Sequence, residues 1–376
     1  MSDIHGGNIF KFAHEQRIEP YEVIDFSANI NPLGPNQKGL DALHNRLRYI
    51  NHYPDATNDD VLNAIADTYG VDKNQIVVGN GAAELLYAIC RLPNYTGAFV
   101  PAPGFSEYKE ALKASHIPVR DIFYRPRIDD NGVPYFEIPY LALETFAAEL
   151  KGQDGRVIVF LGNPNNPDGT LLDINHTRIL AGMLADANSL LVIDESFIDF
   201  VGNDMLRDNE QSMRQLIDEF DNIIIVHSFT KFYAVPGLRI GAVFANPNII
   251  KQLQSFIPAW SVNTLAQAYL EAALNDSDYV KRTKSDVQDE QKFMYQSLSA
   301  IEGITVYPSS ANFMLLHIEK DGITADSINE VLKKHNMIVR NCDNYEGLDN
   351  QWIRLAIKDH ESNVTVSGII EEIFKA

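Results

Sequence analysis

The segment HSFTKFYAVPGLRIG, residues 227–241, sets two hydroxyls, a lysine and an arginine just beyond an apolar run. An amine such as Lys231 condenses with an aldehyde to form a Schiff base once burial or a nearby cation lowers its pKa. Ser228, Thr230 and Arg239 could hold a phosphate on the same molecule through charge-assisted hydrogen bonds. Asp194 ends another all-apolar run, LVID, where an ionised acid is costly to keep. It must either cap the following turn or pair with a cation. A protonated pyridine nitrogen is one such cation, because the ion pair holds the ring as an electron sink.

Three further stretches fit that chemistry. In VVGNGAAELL (77–86) a Gly-Asn-Gly turn opens a helix. The N–H groups of Gly81, Ala82 and Ala83 would there form a phosphate cradle. The same pattern also serves as an ordinary strand-to-helix turn. Tyr108 follows VPAPG on a helix, where its ring either stacks on a flat ligand or fills the core. Asn166 lies in LGNPNNPDGT, a turn that its prolines and asparagines explain by themselves; its amide could also reach a ring oxygen or a carboxylate. All these fragments fall at the ends of runs belonging to one sheet, and their agreement points to pyridoxal 5'-phosphate.

The runs that must position them are QIVVG (75–79), GAFVPA (97–102), RVIVFLG (156–162), SLLVIDE (189–195), NIIIVHS (222–228) and RIGAVFA (239–245). Continuous apolar strands separated by helical patterns predict an α/β fold with a mostly parallel sheet covered on both faces. Ligands bind beyond the C-terminal strand ends of such sheets. The last hundred residues hold one long polar helical stretch (264–300), then GITVYPSSANFMLLHI, NMIVR and WIRLAI, the pattern of a smaller α+β domain. The loop-rich first fifty residues are expected to pack on it. The expected division is therefore 51–265 against 1–50 together with 266–376.

Bulk properties narrow the function classes. The 376 residues carry 31 Lys+Arg against 51 Asp+Glu, a net charge of −20. Such a surface repels nucleic acid and anionic membranes, so neither is expected as a partner. No apolar run reaches the roughly 18–20 residues that span a bilayer, and the start MSDIHGGNIFKF lacks a secretory pattern. With two cysteines, Cys90 and Cys342, a cytoplasmic address is expected. The ten histidines show no HxH or HxxxH spacing, so no metal is expected. GNGAAE lacks the third glycine of a dinucleotide fingerprint, and no P-loop lysine follows it.

Over essentially its whole length the chain resembles fold-type I pyridoxal-phosphate enzymes of the aspartate aminotransferase superfamily, in the histidinol-phosphate aminotransferase branch. Within that branch HGGNI (5–9), DFSANINPLGP (25–35), YPDA (53–56), DESFIDF (194–200), SFTKFYAVPGLRIG and CDNYEGLD (342–349) are most similar to the threonine-phosphate decarboxylases. The resemblance implies a seven-stranded large domain and a homodimer with shared active sites. It makes Lys231 the Schiff-base lysine and proton donor, Asp194 the partner of the pyridine nitrogen, and Tyr108 the stacking ring, with Asn166 near the phenolic oxygen. Gly81, Ala82, Ala83, Ser228, Thr230 and Arg239 would hold the cofactor phosphate, joined by Tyr53 from the neighbouring subunit. Arg354 would bind the substrate carboxylate and Arg340 a substrate phosphate. His5, Gly6, Asn8, Asn29 and Asn31 would close over the substrate.

One position departs from the aminotransferase pattern, which has tyrosine three residues after the aspartate. Phe197 stands there and lacks the hydroxyl that the tyrosine would donate to the cofactor's ring oxygen. The implied reaction is decarboxylation of L-threonine O-3-phosphate to (R)-1-aminopropan-2-yl phosphate, a cobalamin side-chain precursor, or of L-serine O-phosphate to ethanolamine phosphate. Aminotransfer on histidinol phosphate or a related compound is the alternative.

Overall fold

The computed structural model describes residues 6–152, 155–202 and 206–376. Seven strands form the main sheet: β1 Ile76–Gly79, β2 Tyr95–Ala102, β3 Val119–Phe123, β4 Arg156–Gly162, β5 Leu190–Asp194, β6 Ile223–Ser228 and β7 Gly241–Ala245. They run in the order β1-β7-β6-β5-β4-β2-β3. Within β5, Leu191 and Ile193 face one core, and Leu190 and Val192 face the other. Both faces are therefore buried, which is why the strands read as unbroken apolar runs.

Six of the seven strands match the apolar runs. The seventh, β3, lies at the edge, and of its five residues only Ile122 is buried, so VRDIF carried little hydrophobic signal. The pairs β2–β3, β2–β4, β4–β5 and β5–β6 are parallel. Strand β7 runs antiparallel to both β1 and β6. Its reversal has a consequence for the site: Arg239 does not end a strand but precedes one. The first residue of β7, Gly241, pairs with Ser228 at the end of β6 and with Gly79 at the end of β1. In the other half Gly162 pairs with Asp194, and Asp194 with Val226. Reversed β7 thus brings Arg239 to the edge where its neighbours finish.

A second, antiparallel sheet contains β8 Ile304–Tyr307, β9 Phe313–Ile318, β10 Arg340–Asn341 and β11 Trp352–Ala356, in the order β8-β9-β11-β10. It has its own core, which includes Phe26 from the N-terminal segment. Ile24–Asp25 pairs in parallel with Met337–Ile338, tying that segment to this sheet. The long helical stretch is two helices, Thr264–Leu274 and Ser277–Ser299. They part at Asn275–Asp276, where the Asp276 side chain accepts from Asn36 Nδ2 at 2.9 Å, a bond outside the helix. No described helix is long and apolar enough to cross a membrane.

Asn31 joins the N-terminal segment to the lysine-bearing turn. Its backbone N–H donates to Lys231 O at 3.0 Å. Its amide nitrogen bonds Phe232 O at 2.7 Å, Thr283 Oγ1 at 2.8 Å and Tyr279 Oη at 3.0 Å, while Oδ1 accepts from Leu33 N at 3.0 Å. Every polar atom of this buried side chain is bonded within the protein, so it braces the turn. Replacing Asn31 by alanine strands these partners at about 1–3 kcal/mol. Asn31→Ala should lower the thermal unfolding midpoint by several degrees, whereas Gln37→Ala, which breaks only an exposed bond to Asp41, should leave it in place.

Candidate active site

Lys231 sits in the single turn of helix Phe229–Phe232 that follows β6. Its amine donates to Ser228 Oγ at 3.0 Å, and Ser228 Oγ lies 2.9 Å from Thr230 Oγ1. Nζ is 5.6 Å from the centre of the Phe197 ring. Burial, with the Arg239 cation adding to it and Asp194 opposing it, brings the amine down to about 8. A substantial neutral fraction is therefore available near physiological pH, as nucleophilic attack on a carbonyl requires.

A glycine turn at a helix start adjoins the end of β6, since Gly241 pairs with both Gly79 and Ser228. Helix Gly81–Ile89 starts without a side-chain cap from Asn80, so its leading N–H groups stay open. Gly81 has φ +80°, and a Cβ there would strike the Arg239 guanidinium, with Cζ at 2.8 Å. A Cβ at Gly241 would stand 2.6 Å from Ala82 N. Glycine at these two positions lets the guanidinium and the two backbones approach closely, which gathers backbone donors, hydroxyls and one guanidinium, the donor set a phosphate dianion takes.

Asp194 projects from the end of β5. Its Oδ1 accepts from Ser196 N at 2.9 Å and its Oδ2 from Tyr108 Oη at 2.8 Å. The carboxylate thus caps the following turn with one oxygen and meets a phenol with the other. Burial and the facing carboxylate push the Tyr108 phenol well above its ordinary pKa, so it remains a donor. The Tyr108 ring lies 5.2 Å from Phe160 and nearly parallel to it, at 17°. Phe197 turns its ring edge-on to Phe313 at 5.1 Å and offers no hydroxyl.

Across from the lysine the small sheet contributes two guanidiniums. Arg340 and Arg354 are directly opposed residues of β10 and β11. They are 9% and 5% exposed. Arg354 donates to Ser27 O at 2.7 Å, to Tyr345 Oη at 3.4 Å and, at short range, to Asn166 Oδ1. Its Nε is buried without a partner. Arg340 donates to Asn344 Oδ1 at 2.6 Å and lines a cavity of about 150 Å³ with Phe105, Lys109 and Tyr345. Like charges directly opposed across a ladder repel.

The other expected residues divide. Asn166 reaches Arg354 of the small sheet. Asn29 is 5% exposed with its amide oxygen unpartnered. Gly6 passes so close to Ser27 O that a Cβ would collide with it. Asn8 caps helix Ile9–Gln16 by accepting from Lys11 N at 3.2 Å, a local use of its side chain. Tyr53 is 78% exposed and lies outside this protomer's cluster. His5 lies outside the described residues. Among those residues no three His, Cys, Asp or Glu gather as a metal site, and Cys90 and Cys342 are free and buried.

Sequence reasoning missed several supports. Tyr345 and Asn344 position the two arginines; they stood inside the quoted CDNYEGLD but carried no periodic signal. Asp199 accepts from Tyr69 Oη at 2.7 Å and lies 3.0 Å from His227 Nε2, joining the loop after β5 to the end of β6. No spacing rule links residues so far apart.

The chain matches the family model described as aminotransferase class I and II over residues 21–368. It is 34% identical to the adenosylcobalamin biosynthesis bifunctional protein CobDQ of Leptospira interrogans, aligning over 98% of this chain and spanning only 41% of that longer protein. It is 33% identical to the threonine-phosphate decarboxylase of Salmonella typhimurium over 99% of this chain and 97% of that one. The crystal structure of histidinol-phosphate aminotransferase from Clostridium acetobutylicum superposes with a TM-score of 0.81 at 25% identity, covering 93% of this chain and 98% of that one. A lysine of lowered basicity, an uncapped helix start beside two hydroxyls and a guanidinium, and a buried acid on one sheet edge fit the groups of pyridoxal phosphate. With its seven-stranded, mostly parallel sheet and this site, the chain belongs to the pyridoxal-phosphate-dependent aminotransferase class I and II family.

Proposed function

We propose that this protein decarboxylates a phosphorylated amino acid, L-threonine O-3-phosphate first among candidates, to (R)-1-aminopropan-2-yl phosphate. The observation that carries the reading is the opposed pair Arg340 and Arg354, two guanidiniums shielded from water on one small sheet. A substrate bearing a carboxylate and a phosphate offers one anion to each.

When bound, pyridoxal phosphate supplies an electron sink conjugated with the substrate amine. The chain's own residues do the rest. In this reading Ser228, Thr230, Arg239 and the N–H groups of Gly81, Ala82 and Ala83 hold its phosphate. Asp194 keeps its ring nitrogen protonated, beside Tyr108. Arg354, braced by Asn166 and Tyr345, takes the substrate carboxylate, and Arg340 takes the distal phosphate. Two fixed anion contacts leave few orientations about Cα, and remote binding energy selects the bond that breaks. Lys231 then returns a proton to the carbon that carbon dioxide has left. Asn29, with its open amide oxygen, and Gly6 border the substrate in this reading.

The exposed Tyr53 supports a homodimer in which that ring completes the partner's phosphate site. The division of the chain at residues 51–265 belongs to the same reading, supported by the pairing of Ile24–Asp25 with Met337–Ile338. So does a cytoplasmic address, supported by two unpaired, buried cysteines. Aminotransfer remains the second reading, because an arginine for a carboxylate also serves an amino donor such as a dicarboxylic amino acid.

Four outcomes follow. Purified holoenzyme given O-phosphothreonine should release carbon dioxide with its cofactor left in the aldehyde form; conversion to the amine form without gas would establish aminotransfer instead. Arg340→Ala should raise KM for that substrate about 10- to 100-fold, the loss of a charge-assisted contact, with cofactor absorbance unchanged. For apoprotein, the rate of pyridoxal phosphate capture should rise as pH passes about 8, where Lys231 loses its proton, and level off above. Arg239→Gln removes a neighbouring cation and should move that midpoint upward. A wild-type profile still climbing beyond pH 10 would contradict the lowered lysine.

A further inference from the structure

Tyr53 and Trp260 stack on the protomer surface with ring centres 4.5 Å apart and planes at 26°. Tyr53 is 78% exposed and Trp260 48%. Trp260 adopts φ +60°. A bulky residue enters that region only where its surroundings dictate it, and such strain clusters at functional positions.

The surroundings are specific. The Gln267 amide donates to Val262 O at 3.0 Å, to Asp55 O at 3.1 Å and to Asn58 Oδ1 at 2.9 Å, stitching the Trp260 loop to the segment after Tyr53. On the other side the Ser261 hydroxyl bonds the Glu84 carboxylate. Glu84 also accepts the N–H of Asn80, the residue before Gly81, at 2.7 Å. One short loop is therefore anchored both to its own phosphate cradle and to the Tyr53 segment.

We propose that Trp260 is a positioning residue whose indole fixes the Tyr53 ring for contact with the cofactor phosphate of a second copy of this chain. The proposal rests on the shared-site dimer described above. An unsupported tyrosine at this exposure samples several rotamers and loses that freedom on contact. The stack removes most of that loss before the partner arrives, and the Gln267 bonds fix its register.

The test is the dissociation constant of pyridoxal phosphate, read from cofactor absorbance, with dimer mass by sedimentation. The proteins are wild type, W260A, W260F, Y53A and Y53A/W260A. W260A should weaken cofactor binding about three- to tenfold, the range of an aromatic pair. W260F should restore most of it, and W260A should add nothing in the Y53A background. If W260A folds poorly, W260L keeps apolar volume without a π face and serves the same comparison. An equal loss with and without Tyr53, or no loss from W260A while Y53A weakens binding, overturns the positioning role and leaves the shared site standing. Unchanged affinity in Y53A overturns the shared site itself, and the proposal with it.

Discussion

The molecule depends on a row of residues along one edge of its main sheet. Gly79, Gly241 and Ser228 are in register on one side, and Gly162, Asp194 and Val226 on the other. Strand pairing is set by hydrogen bonds repeated across buried faces, and a one-residue slip would turn every side chain to the opposite face. The sheet therefore holds the lysine turn, the acid and the phosphate cradle in fixed relation without any contact among them having to be strong. Reversing β7 adds a guanidinium to that edge, which a strand continuing the parallel pattern would have carried to the far end.

Electrostatics then act locally. The chain carries a net charge of −20, yet the site gathers Lys231, Arg239, Arg340 and Arg354. The lysine gives up much of its basicity because it is buried near one of these cations. Arginines keep their charge under such conditions and are stabilised instead by neutral acceptors, as Arg354 is by Ser27 O, Tyr345 Oη and Asn166 Oδ1. One amine loses basicity while its neighbours keep their charge. Tyr108 plays the complementary part, remaining a donor beside Asp194 because ionising next to a buried carboxylate is unfavourable.

Much of this was legible in the residues. Apolar runs located six of seven strands because their two faces alternate into two cores, and the exception, β3, is half solvated. Lys231, Asp194 and the Gly81 turn were legible because strand ends concentrate chemistry. Arg239 was picked out for the right neighbours but through the wrong geometry, since strand direction is not encoded in an apolar run. Asn31 and Asn8 read as substrate contacts from their motifs, whereas the structure spends one on bracing the lysine turn and the other on a helix cap. An asparagine's partners depend on what lies across space, and its type and neighbours do not reveal that. The Arg340–Arg354 opposition, the Tyr345 brace and the Asp199–His227 pair were invisible for the same reason.

The bond from Asn31 N–H to Lys231 O, with the amide of the same residue on Phe232 O, makes the reactive turn a joint product of two distant stretches of chain. The strand and hydroxyls that carry the amine come from the middle of the sequence, and the clasp that fixes its backbone comes from near the beginning. Grafting the lysine motif alone onto another sheet would transfer the nucleophile without its orientation. Loss of the leading forty residues would remove that clasp while leaving Lys231, Asp194 and Arg239 in the chain.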